Sequence, residues 1–153
     1  MMKTVLLIFF FNGILFHCQR CYTQFNKDYF IKIITKAIPF PEDTVNKTGI
    51  STLMFYKEND SIRVKSIYYS RSAYDFSSDK FLSEAVNKYY KDSIPAECEI
   101  VLSVYFYYVP DSGTVQKPKA QEFVAMENKL HHLSKKNVII LDPIEWKLYP
   151  LIH

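Results

Sequence analysis

At 153 residues the chain has room for one domain and too little for two ordinary ones. Its 48% hydrophobic and 16% aromatic content excludes a disordered chain and supplies large rings for a core, while only three glycines limit loose backbone. The formal net charge of +3 is spread along the chain, which speaks against the concentrated basic face that a nucleic-acid partner requires.

Lys3 precedes an apolar run from Val5 to Phe16, broken only by Asn12 and Gly13. A positive charge followed by a short apolar run is the layout of a secretory signal peptide. The run is short of the ~20 apolar residues of a spanning helix, although an N-terminal anchor left in place is the competing reading. The small side chains of Cys21 and Thr23 put cleavage near Thr23, so that residues 1–23 form the signal peptide and 24–153 a single mature domain. A lipoprotein at Cys18 is less favoured, because His17 stands where a lipobox takes Gly, Ala or Ser. Removing Lys3 and Arg20 leaves 17 basic against 16 acidic residues, a formal charge of +1. Cys18 and Cys21 would leave with the leader, so Cys98 is expected alone, as a small buried hydrophobe without a disulfide.

In the mature chain, Asn26 or Asp28 can cap a helix with Tyr29, Phe30, Ile33, Ile34, Ala37 and Ile38 as its stripe, closed by Pro39 and Pro41. Residues 39–48 form a polar loop. Asn46-Lys-Thr48 and Asn59-Asp-Ser61 are formal glycosylation sequons. From Ile50 to Lys57 the residues are β-branched and aromatic, as a pleated, half-buried strand prefers. Asn59-Asp60-Ser61 supplies a turn, and Ile62-Arg-Val-Lys65 then alternates as a second strand. A phase slip at Ser66-Ile67 predicts a bulge or strand end.

Ser77-Ser78-Asp79 offers cap oxygens to a helix with Phe81, Leu82, Ala85, Val86, Tyr89 and Tyr90 in one wide stripe. Pro95 stops it. Cys98 to Val109 is apolar on both faces and reads as a long central strand. Pro110 to Pro118 is a loop. Ala120 to Lys135 reads as a helix with Phe123, Met126, Leu130 and Leu133 on one side, and Val138 to Leu141 as a short strand. The tail, with Trp146, Leu148, Tyr149, Leu151 and Ile152, should pack back onto the domain, since exposed apolar area costs about 25 cal/mol per Å². The fold class is therefore α+β: a small antiparallel sheet in a β-β-α-β core over 49–109, with flanking N-terminal and C-terminal helices.

Few residues point to chemistry. His131 and His132 are adjacent on a helix, so their side chains diverge and do not share a metal readily. A Cys98, His131 and Asp142 nucleophilic set can be assembled on paper, but nothing local activates the thiol. Glu97 and Glu99 flank Cys98 and read as a solubilising pair. No glycine-rich loop cradles phosphate. The expectation is a protein with no catalytic residue, no metal and no cofactor. Tyr105 and Tyr107 share one strand face, and Phe106 and Tyr108 the other. Both rows belonging to the core is the competing reading; in the other, one row is core and the first row, with Tyr68 and Tyr69, is the candidate binding surface.

The segments Gly49-Ile-Ser-Thr-Leu-Met-Phe-Tyr56, Ile62-Arg-Val-Lys-Ser-Ile-Tyr-Tyr69, Phe81-Leu-Ser-Glu-Ala-Val86, Ile94-Pro-Ala96 and Ile100-Val-Leu-Ser-Val-Tyr-Phe106 carry a resemblance. In that order they resemble the C-terminal domain of the TonB energy-transducing family over about 60 residues. Asn59-Asp60 stands where the family has an Asp-Gly hairpin. The resemblance implies a free-standing domain that binds partner segments by adding a strand to its sheet edge, a mode with its own physical basis. The sequence thus predicts a periplasmic or secreted, non-catalytic module without a membrane span after leader cleavage. Its partner would be a cell-envelope protein, engaged by strand addition or by an aromatic surface. An exported small-ligand carrier and an enzyme of another class are the competing readings.

Overall fold

The computed structural model describes residues 25–37, 48–70, 80–92, 94, 97–133 and 137–149. The leader, the cap Ser77-Ser78-Asp79, the sequon at Asn46 and the last residues of the tail lie outside them, as does the Phe81 side chain.

Helix α1 (Lys27–Ala37) begins where Asn26 Oδ1 accepts the Tyr29 amide at 3.0 Å. An asparagine before a helix satisfies an amide that has no partner within it. Strands β1 (Gly49–Glu58) and β2 (Ser61–Tyr69) form an antiparallel hairpin around Asn59 and Asp60, at φ 47° and 63°. Left-handed conformations at both turn positions match the strand twist, and Asn and Asp tolerate them best among non-glycine residues. Lys57 and Lys91 both reach the Asp60 carboxylate, at 3.3 and 3.8 Å.

The predicted slip is present. Leu53 pairs with Ser66 and Thr52 with Tyr68, which leaves Ile67 as the extra residue of a bulge.

Helix α2 (Lys80–Tyr90) follows, then β3 (Glu99–Tyr108), helix α3 (Ala120–Leu133) and two short strands, β4 (Val138–Ile140) and β5 (Ile144–Leu148). β1 is antiparallel to both β2 and β3. On the far side of β3, β4 pairs in parallel with Glu99–Val101 and β5 with Val104–Tyr108. The α+β reading and its β-β-α-β core hold, and the sheet extends beyond that core to five strands of mixed direction. Of the tail, Leu148 is fully buried and Trp146 lies against the core, whereas Tyr149 is 59% exposed. Ile144–Leu148 is a strand that its sequence did not announce. Glu145 and Lys147 alternate with Ile144, Trp146 and Leu148 over only five residues, after a proline.

Helices cover both sheet faces. Under α1 and α2 lies the main core, where Phe30, Ile34, Leu53, Phe55, Ile62, Leu82, Val86, Leu102 and Val104 are fully buried. Phe30 meets Phe55 and Tyr90 edge-on, each at 5.1 Å between ring centres. That geometry sets a positive ring edge against a negative face. Tyr90 donates its hydroxyl to the Asn26 carbonyl at 3.2 Å, tying α2 to the start of α1.

The stripe of α2 is narrower than its sequence suggests. Leu82, Val86 and Tyr90 point inward, whereas Tyr89 is 48% exposed. On the opposite sheet face, α3 presses Met126 onto a buried pair of hydroxyls, Thr52 Oγ1 and Ser103 Oγ, 3.0 Å apart. The Ser103 hydroxyl also lies 3.3 Å from Met126 Sδ. Of the four apolar positions expected to form the α3 seam, only Met126 is buried, and Phe123, Leu130 and Leu133 remain half-exposed.

Candidate functional site

The sheet register sorts the four candidate tyrosines. Tyr68 lies opposite Thr52, which lies opposite Ser103, so all three share the α3 face. Tyr105 and Tyr107 alternate with buried Phe106 and Tyr108 and point to that same face. Tyr69 lies opposite Ser51, faces the α1–α2 side and is 53% exposed. The structure therefore collects Tyr68, Tyr105 and Tyr107 and separates Tyr69 from them. Adjacent strand residues point to opposite faces, so Tyr68 and Tyr69 could not both belong to one surface.

Helix α3 covers only part of this face. Phe123 stacks edge-on against Tyr105 at 5.2 Å, and all three tyrosines stay half-buried. Tyr107 donates its hydroxyl to Glu145 Oε1 at 3.3 Å. Burial raises the pKa of Tyr105 above its ordinary value, and the charges of Glu127 and Glu145 raise it further. Burial first, and then Glu145 through its charge and hydrogen bond, does the same for Tyr107. Tyr68 is raised by burial and by Glu122. These phenols stay protonated at neutral pH, offering rings and hydroxyl donors beside carboxylates. Such a surface suits contact with a cationic or hydrogen-bonding partner.

The nucleophilic set does not assemble. Cys98 is disulfide-bonded, which corrects the expectation of an unpaired cysteine and removes its thiol from chemistry. The chain's other cysteines, Cys18 and Cys21, lie outside the described residues. Asp142 binds Lys27 Nζ across the corner between β4 and β5. Among the described residues no group of three or more His, Cys, Asp or Glu side chains could hold a metal ion. No described helix is long and apolar enough to cross a membrane.

The sheet edges are interrupted in part. Asn87 of α2 accepts the Ile62 amide at 2.7 Å through Oδ1 and donates Nδ2 to the Ile62 carbonyl at 2.8 Å. At that one residue it bonds the outer edge of β2 as a neighbouring strand would. On the other side, the Val138–Leu141 segment covers part of β3 as anticipated. The amide of Leu141 and the carbonyls of Asn137 and Leu148 bond β3, so Val138, Ile140, Glu145 and Lys147 direct their backbone groups outward. Asp142-Pro143 interrupts that edge between the two short strands.

A second feature escaped the sequence reading. Between α1 and α2 runs an open groove of about 360 Å³, lined by Tyr29, Lys32, Ile33, Lys36, Ala37, Ala85 and Tyr89. Its residues stand at helical spacing on two elements whose mutual packing is tertiary. The one available signal was that Tyr29 and Tyr89 sit at the margins of otherwise buried stripes.

No protein-family model matches the chain, and neither a curated protein nor a solved structure matches it.

Proposed function

We propose that the chain is an exported, non-catalytic binding module whose contact surface for an envelope or extracellular protein is the half-covered face bearing Tyr68, Tyr105 and Tyr107. The observation that carries this reading is the arrangement of those rings. Phe123 packs edge-on against Tyr105 and Glu145 accepts the Tyr107 hydroxyl, on a sheet face that α3 leaves partly open. Half-buried tyrosines offer large contact area at small cost in side-chain entropy, which is why they recur at interfaces. Glu122, Glu127 and Glu145 beside them favour a partner segment that carries lysine or arginine.

Export fits the charged leader with its short apolar run, and the disulfide at Cys98 fits an oxidising compartment. The resemblance to TonB C-terminal domains, read from the sequence, supports a binding role. The aromatic face has better support than strand addition, because Asn87 takes up the β2 edge at Ile62 and Asp142-Pro143 breaks the opposite one. The test is capture of a partner from the native envelope or extracellular fraction by wild type and by a Tyr105→Ala/Tyr107→Ala variant. The proposal expects a partner held by the first and lost by the second at unchanged fold.

A further inference from the structure

The groove between α1 and α2 lies on the sheet side opposite the tyrosine face. Ile33, Ala37 and Ala85 form its apolar lining. Two tyrosines flank it, Tyr29 at 46% and Tyr89 at 48% exposure. Single exposed rings are common, but two beside one trough, with small alanines between them, leave room for an inserted side chain. Lys32 and Lys36 stand one helical turn apart along the groove, and both are exposed. The ion pairs found among the described residues involve Lys27, Lys57, Arg63, Lys80 and Lys91 and leave both of these ammonium groups out. A third ammonium, Lys88 Nζ, sits 5.2 Å from the centre of the Tyr89 ring.

We infer that this groove binds an acidic peptide segment with an apolar side chain at its centre. The inference rests on the reading of the chain as a binding module, but it uses a separate surface. Lining residues from Tyr29 to Ala37 span about 12 Å of helix, the length of about four residues of extended chain. Lysines one turn apart present their charges to one side, where carboxylates of such a segment can meet both. The central apolar side chain would rest on Ala85 and Ile33 between the two tyrosines. The groove's openness favours a peptide over a small molecule, because a small ligand binds tightly when most of its surface is enclosed.

The probe is a fluorescein-labelled hexapeptide, Glu-Glu-Phe-Leu-Glu-Glu, titrated into the full mature protein, with Lys-Lys-Phe-Leu-Lys-Lys as control. Anisotropy should report saturable binding of the acidic peptide alone, weakening as salt rises. Amide NMR shifts should concentrate at Tyr29, Lys32, Lys36, Ala85 and Tyr89. Lys32→Glu/Lys36→Glu should weaken binding about tenfold or more, since it replaces two attractions by two repulsions. Ala85→Phe, which fills the trough without touching charge, should weaken it as well. Should Ala85→Phe fail to fold, the lysine reversal at exposed positions decides alone. The Tyr105→Ala/Tyr107→Ala variant should bind the peptide as wild type does, so failure of the tyrosine face and failure of the groove read out separately. No saturable binding, equal binding of the lysine peptide, or affinity that survives the lysine reversal overturns the inference.

Discussion

The side-chain amide of Asn87 bonds both the amide and the carbonyl of Ile62, at 2.7 and 2.8 Å. One residue of a helix thereby completes the outer edge of a strand, where Ile62 is fully buried and water is scarce. Asn87→Ala leaves two backbone groups without these partners. The expected loss is about 1–3 kcal/mol, read as a lower melting temperature, together with a tendency of the freed β2 edge to self-associate. Unchanged stability and a monomeric elution profile would contradict this role.

Helix α2 has a sharply defined inner face. Val86 is fully buried, whereas Tyr89, three residues on, is 48% exposed. Val86→Asp places a charge in the core and should cost several kcal/mol. Tyr89→Asp should change stability by about 0.5 kcal/mol or less, as surface substitutions do. Thermal denaturation of the pair tests the assignment, and comparable losses would refute it.

Tyr90 couples stability to alkaline pH. Burial, and then the neighbouring Tyr29, pushes its phenol well above the ordinary tyrosine range. A raised folded-state pKa means that its contribution is complete below the unfolded value of about 10 and is lost as pH rises beyond it. The wild type should therefore lose stability steeply above about pH 10. Tyr90→Phe should be less stable at pH 7, lacking the bond to the Asn26 carbonyl, and should show a shallower alkaline decline. Chemical denaturation at a series of pH values measures both effects.

The disulfide at Cys98 bears on leader processing. The only other cysteines in the sequence are Cys18 and Cys21, and cleavage at Thr23 would discard both. An intrachain bond therefore requires the mature chain to start before its partner cysteine. Non-reducing peptide mapping of the native protein should find Cys98 linked to a peptide containing one of them. A mature chain beginning at Gln24, with Cys98 as a free thiol, would contradict this. Reduction should lower the melting temperature, since removing a native disulfide from a small domain costs about 2–5 kcal/mol.

The parts of the fold that were legible in the sequence are those governed by local patterning. Alternation over Ile62–Lys65, the phase slip at Ile67 and the inward positions Phe30, Ile33 and Ile34 of α1 and Leu82, Val86 and Tyr90 of α2 each follow from side-chain direction along one element. What stayed hidden depends on relations between elements. The partnership of Asn87 with Ile62 joins residues 25 positions apart. The five-residue strand at Ile144 has too short a pattern to read, and β3 supplies its pairing partner. Tyr105 and Tyr107 were placed on one face correctly because a strand has period two, and the same period separates Tyr68 from Tyr69. Cys98 was misread because the leader cysteines were assigned to a discarded segment.

Contact between a protein partner and the face carrying Tyr105 and Tyr107 can be read by site-directed photo-crosslinking. Benzoyl-phenylalanine would replace Tyr107 in one protein and Val124, which is 57% exposed on α3, in another. Each would be irradiated in the native envelope or extracellular fraction. One discrete crosslinked species is expected with the probe at position 107 and a much weaker one at position 124. No crosslink at 107, or an equal and diffuse pattern from both positions, would contradict it.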